Sequence, residues 1–269
     1  MDPFLIGSML AVGSAVGFIA GLLGVGGGMF MVPFMALILD RVGFSPEVVV
    51  KLAIATSLAT ILFTSASSVR AQHRRGAVRW DLVKRFAPGM IVGSLIGAQF
   101  ASSLRSGLLA LIFGVFIAFM ATQMLRPRKH EGDRALPGTA GLSGFGAMVG
   151  AISAVVGAGG AFLLAPFMSR RGIRIHEAIG TSAACGFPVA LAGSVGYVIA
   201  GWSVPMPAGT WGYIYVPALL TISAASMITA PLGVKVAHRT PTQRLKKLFA
   251  YLLYVMSAYM LWRAWHFGL

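Results

Sequence analysis

The sequence predicts an all-α integral membrane protein of two inverted repeats, each a glycine-broken helical hairpin followed by three transmembrane helices. Three observations predict it. Of 269 residues, 57% are hydrophobic and 11% charged, whereas a soluble domain carries about 25% charged residues. The charges fall between long uncharged runs. One glycine-rich segment occurs twice.

Residues 3–39, 86–104, 107–125, 135–169 and 178–234 contain no Asp, Glu, Lys or Arg. Each matches or exceeds the roughly 17–25 residues of a spanning helix. A soluble core cannot hide so much apolar surface, so the bilayer acts as solvent. Backbone groups in lipid must pair internally, which leaves helices or closed barrels. Barrel strands alternate polar and apolar residues, and the run from Leu108 through Phe113 does not.

The segment Gly24–Met35 aligns without a gap on Gly157–Met168. Gly24, Gly26, Gly27, Pro33, Phe34 and Met35 find identical mates in Gly157, Gly159, Gly160, Pro166, Phe167 and Met168. Ala53–Ser57 then aligns on Ala178–Ser182, Gly97 on Gly233 and Phe113 on Phe249. The first repeat therefore spans 1–126 and the second 137–269, joined by a basic cytoplasmic linker over 127–136.

The elements follow in order. The run 3–39 would be roughly 55 Å long as one straight helix, too long for a core of about 30 Å and short for two crossings. It reads as a long helix, a break at Gly24–Gly28 and a short returning helix. Met1, Asp2, Pro3 and Phe4 lack the basic start of a cleaved leader, so this helix counts as mature sequence. Helices are predicted over 47–69, 82–104 and 106–126. The second repeat gives a broken hairpin over 137–169 and helices over 176–200, 212–236 and 241–263. Basic loops at 70–85, 126–136, 169–177 and 235–247 should be cytoplasmic, and the neutral 201–211 loop with Trp202 and Trp211 should lie outside. Each half then makes three net crossings plus a hairpin. An odd number inverts the second half, and breaks at corresponding positions point to a transporter's binding site.

The expected substrate-binding residues are Gly24, Gly26, Gly27, Gly28, Thr56 and Ser57, with Gly157, Gly159, Gly160, Thr181 and Ser182 in the second repeat. Glycine permits positive φ and close approach. Each returning helix presents free N–H groups and a positive dipole end, which favour an anion. The Thr-Ser pairs add hydroxyl donors without the desolvation cost of a buried cation. They are expected to converge near the midplane, where losing one hydroxyl costs roughly 1–3 kcal/mol. Lys51 and His176 stand at matching positions five residues earlier and suit gating or coupling, with helix-end snorkelling as the alternative.

Other classes find no support. Net charge is +15, but the basic residues sit in loops between apolar runs, as cytoplasmic loops and anionic headgroups require, and not on a nucleic-acid-binding domain. The single Cys185 rules out an intrachain disulfide and a multi-cysteine metal site. No carboxylate pair, spaced histidines or phosphate loop indicates catalysis, a metal or a cofactor. The expected partners are a small anion and the lipid bilayer.

The run Gly21–Pro33, the segments Ala55–Leu58 and His73–Val78, and the closing Ala230–Arg239 resemble the sulfite exporter TauE/SafE family over nearly the whole chain. The resemblance implies a secondary transporter, as an exporter, of sulfite, organosulfonates or related anions. It also implies a histidine near the position of Lys51, where this chain departs. Alternatives are a carboxylate or other anion as cargo, an anion channel, and a membrane enzyme acting on lipid phosphate, which would need buried acid–base residues.

Both termini are expected on the periplasmic side of an inner membrane. A reporter fused after Leu269 should read as periplasmic; a cytoplasmic signal would overturn the topology and the inversion.

Overall fold

The structure is a computed structural model and describes residues 3–23, 27–125, 135–237 and 242–267. Gly24 and Gly26, most of the 127–136 linker and the extreme termini lie outside the described residues. The first repeat contains α1 (Pro3–Leu23), α2 (Gly28–Val42), α3 (Pro46–Arg74), α4 (Trp80–Ser103) and α5 (Ser106–Leu125). The second contains α6 (Thr139–Val156), α7 (Ala161–Ser169), α8 (Ile175–Gly201), α9 (Val216–Ala237) and α10 (Thr242–His266). A two-strand hairpin, β1 (Thr210–Trp211) and β2 (Ile214–Tyr215), precedes α9.

Local chemistry sets these boundaries. Gly27 (φ 67°) and Gly160 (φ 72°) stand in the left-handed region just ahead of α2 and α7, and Gly157 (φ 67°) does so just after α6. A β-carbon disfavours that conformation, so the glycines place the breaks. α3 begins with Ser45 accepting the Glu47 N–H at 3.4 Å and with Pro46 in its first turn.

Five described helices are long and apolar enough to cross a membrane: α3, α5, α6, α8 and residues Val216–Gly233 of α9. α4 and α10 open on charged turns, with Asp81, Lys84 and Arg85 in one and Arg244, Lys246 and Lys247 in the other. Ile96, Phe100, Ile199, Leu220, Ile228 and Trp265 are more than half exposed, a surface suited to lipid.

One predicted boundary is corrected. The helix expected over 212–236 starts at Val216, because 210–215 forms the hairpin. Gly209 (φ 91°) and Gly212 (φ 53°) turn the chain there, and Thr210, Trp211, Ile214 and Tyr215 are strand-favouring types. The returning helix α2 is also longer than expected, at 15 residues.

Packing follows the repeat. α1 lies on α9 and α4 on α6, the same pairing of mates made twice, while α3 meets its own mate α8 and α5 meets α10. Lipid offers no hydrophobic drive between helices, so close contact rests on small residues. β-carbons at Gly89, Gly93 and Gly97 would lie 1.8, 2.0 and 2.5 Å from the carbonyl oxygens of Ser143, Ala147 and Ala151. From the other side, Gly146 and Gly150 sit against Phe86 and Met90. Their mates Gly13 and Gly17 meet Ile222 and Ser226 of α9 in the same manner.

One ion pair joins α2 to α10. Arg263 is 2% exposed and donates both terminal nitrogens to the Asp40 carboxylate, the Nη2–Oδ1 bond at 3.0 Å. Its guanidinium also lies 4.9 Å from the centre of the Phe267 ring.

Gly93→Val should force α4 from α6, cost at least about 1–3 kcal/mol by overpacking, and lower the thermal-unfolding midpoint in detergent. Gly7→Ala, with nothing within 4 Å of the added carbon, should leave the midpoint unchanged or raise it. Equal midpoints would show that the glycine seam does not hold the two helices together.

Candidate functional site

The two breaks meet inside the bundle. A β-carbon on Gly28 would lie 2.5 Å from the Gly157 oxygen and 3.4 Å from the Ala158 Cα. Ser57, fully buried on α3, stands between them, with its hydroxyl 3.2 Å from the Gly28 carbonyl and 3.1 Å from the Gly157 carbonyl. Its one proton is shared between two carbonyls, and that of Gly157, at the C-terminal end of α6, is one the helix leaves without an intrahelical partner.

Its repeat mate Ser182 is in the opposite condition. It is 0% exposed, and its hydroxyl has no hydrogen-bond partner. An unmet buried hydroxyl costs about 1–3 kcal/mol. Ser194 and Ser223 share that state, and Ser182 lines a small cavity. Ile61, Ser65 and Ser68 of α3 form one wall, Gly159 and Ala161 of the second break another, and Ala183 and Gly186 of α8 complete it. Among the described residues no charged side chain lines it. The Gly160 carbonyl receives the N–H groups of Leu163 and Leu164, so the amides of Ala161 and Phe162 precede the first intrahelical bonds. They are the positive end of α7.

The structure thus places Gly27, Gly28, Ser57, Gly157, Gly159, Gly160 and Ser182 around the junction of the breaks. Thr56 and Thr181 have another engagement. Thr56 Oγ1 accepts the Tyr215 N–H at 3.0 Å, just ahead of α9, and Thr181 Oγ1 accepts the Arg79 N–H at 3.0 Å, just ahead of α4. These are the same contact made twice, each threonine holding the start of a helix that belongs to the other repeat.

Lys51 and His176 lie apart from the cavity. The Lys51 ammonium donates to the Ser102 carbonyl at 2.6 Å, in the last turn of α4, and sits 5.7 Å from the centre of the Tyr213 ring. There it meets the negative end of the helix. Burial pushes the Tyr213 phenol above its usual range. His176 is exposed in the first turn of α8. Cys185 is a buried thiol. Among the described residues no three His, Cys, Asp or Glu side chains are grouped to hold a metal.

Ser65 and Ser68 are additions that sequence reasoning missed. The signal was present: Ser57, Thr60, Thr64 and Ser68 recur at three- and four-residue spacings along α3, with Ser65 next to Thr64, and such spacing stacks side chains on one helix face. Much of this stripe back-bonds to its own helix, with Thr60 on the Thr56 carbonyl at 2.9 Å and Ser65 on that of Leu62 at 3.3 Å.

A sequence model of the sulfite exporter TauE/SafE family matches residues 9–260. A probable membrane transporter protein of Haemophilus influenzae is 35% identical over 254 residues, covering 93% of this chain and 96% of its own length. One from Methanocaldococcus jannaschii is 24% identical over 271 residues, with 94% of each chain covered. One from Bacillus subtilis is 24% identical over 238 residues, covering 86% of this chain and 90% of its own. No solved structure matches the chain.

Gly160→Val and Gly27→Val should each insert into the membrane yet lose transport. Both positions hold a positive φ, and added carbons would lie 3.0 Å from Val149 Cγ1 and 2.9 Å from Ala20 Cβ, respectively. Flux at the unaltered rate in both variants would reduce the breaks to packing features.

Proposed function

The chain belongs to the sulfite exporter TauE/SafE family, and from that premise we propose that it is a secondary transporter, acting as an exporter, of small sulfur-containing anions such as sulfite or organosulfonates. It is a multi-pass membrane transporter and not an enzyme. The cargo, the inner-membrane location, the periplasmic termini and the transport mechanism are the proposal.

The observation that carries it is the cavity at the start of α7, where the Ser182 hydroxyl is buried and unmet. The Ser182 hydroxyl and the amides at the start of α7 are the donors on offer in an otherwise largely apolar lining, and no carboxylate is among the described residues that form it. Oxyanions accept several hydrogen bonds at once, and a site of preset neutral donors favours them.

Alternating access is supported by the arrangement of the repeats. Two sets of five helices exchange partners by a two-fold pattern, with interrupted helices in corresponding places. In an inverted repeat such breaks surround the substrate, and one part of each repeat rocks about them. Lys51 and His176 would then act at the two mouths of the pathway, as gating or coupling groups.

Purified protein in liposomes should move sulfite or an alkylsulfonate with saturable kinetics, and faster than acetate. Preference for acetate would reassign the cargo to carboxylates. Flux that rises linearly with concentration and ignores every imposed ion gradient would make the protein a channel.

A further inference from the structure

We infer that the anion site is one-sided: the second repeat holds it, with Ser65 and Ser68 as its wall on α3, and the equivalent place in the first repeat is filled by the protein's own side chains. The inference rests on the anion-transport reading and adds where the ligand sits and what charge it carries.

The repeat mates make the comparison direct. Where the second repeat has Ser182, Ala183 and Gly186, the first has Ser57, Leu58 and Ile61. Small residues in one place are replaced by two branched side chains in the other. Leu58 and Ile61 are buried, and Ile61 Cδ1 lies 2.6 Å from where a β-carbon on Gly28 would stand. Ile61 therefore occupies the space beside the start of α2. At the start of α7 the corresponding Gly186 leaves that space open, and the cavity forms there. The hydroxyls differ in the same sense. Ser57 is engaged by the Gly28 and Gly157 carbonyls, while Ser182 is unmet. One repeat supplies the hinge pin and the other the ligand donor.

The lining also selects charge. Its donors are neutral, and no Lys or Arg is among the described residues that line it. The cost of taking an ion out of water rises steeply with its charge, and neutral donors repay that cost less fully than a cation does. The site therefore suits a monovalent oxyanion over a divalent one. Methanesulfonate is always monovalent and sulfate divalent at neutral pH, so the two serve as probes.

The test is sulfite flux into liposomes containing the full-length protein, competed with methanesulfonate or sulfate, beside thermal unfolding of the ligand-free protein. Ser182→Ala should raise the half-saturating sulfite concentration roughly 5- to 150-fold, while leaving the ligand-free unfolding midpoint equal or higher, because an unmet hydroxyl is removed. Ser57→Ala should lower that midpoint. Ala183→Leu and Gly186→Ile, which copy the first repeat, should abolish flux; Ser182→Thr should restore much of what Ser182→Ala loses. Methanesulfonate should compete and sulfate should not. Unchanged half-saturation in Ser182→Ala, or full flux in Ala183→Leu, would overturn the one-sided site while the transport reading stands. Competition by sulfate equal to that by methanesulfonate would overturn the charge assignment. No saturable flux of any tested anion by the unaltered protein would overturn the transport reading itself.

Discussion

A helix interrupted inside a bilayer frees backbone groups that lipid cannot hydrogen-bond, and the fold depends on meeting them. Ser57 does this at the centre. Its hydroxyl reaches the Gly28 and Gly157 carbonyls, one from each break, so a single side chain of α3 joins the two interruptions. Everything nearby follows from that contact. Gly28 must lack a side chain because Gly157 lies against it. α3 must be buried along much of its length to bring Ser57 there. At the second break the Ser182 hydroxyl makes no equivalent bond.

The helices that frame the breaks are held by close approach and not by apolar burial alone. Seams of glycine between α4 and α6, and between α1 and α9, let backbones touch. Bonds across the seams add direction. Ser94 donates to the Gly150 carbonyl at 3.3 Å, and Tyr197 to the Ala154 carbonyl at 3.0 Å, near the end of α6. On the other flank Ser257 donates to the Gly114 carbonyl at 2.7 Å, where Leu261 packs closely on Gly114. Small residues and side-chain donors are what remain available where the solvent is itself apolar. The surface turned outward carries large apolar groups that no partner helix covers.

One buried charge in the bundle is firmly paired. Arg263 is buried yet bound twice by Asp40 at the end of α2. Removing one partner of such a pair leaves the other uncompensated, which is costly. The returning helix α2 is therefore fixed at both ends, at Gly28 by Ser57 and at Asp40 by Arg263. α7 is nine residues long, and its N-terminal end borders the cavity. The two breaks are alike in sequence but differ in how firmly their returning helices are tied.

The sequence by itself determined the helical class, the two broken hairpins, the membrane setting and most helix boundaries. These rest on local quantities: uncharged runs as long as a bilayer, glycines that accept positive φ, and a duplicated motif. It also singled out Ser57, Ser182 and the glycines as neighbours of the breaks, since repeat mates can be aligned without knowing the fold. Only the tertiary structure decided what each hydroxyl does. That Thr56 and Thr181 also accept the Tyr215 and Arg79 N–H groups, and so tie each repeat to the other, is visible in no local pattern. Residues 212–215 of the hairpin read as helix in the sequence because they lie in an uncharged run that continues into α9. The Asp40–Arg263 pair spans 223 positions of sequence, and no local pattern links its ends. The cavity walled by Ser65 and Ser68 is of the same kind. Periodicity marks the face of α3 that bears hydroxyls, but empty space is a property of several helices together, set by where Gly186 is small and Ile61 is not.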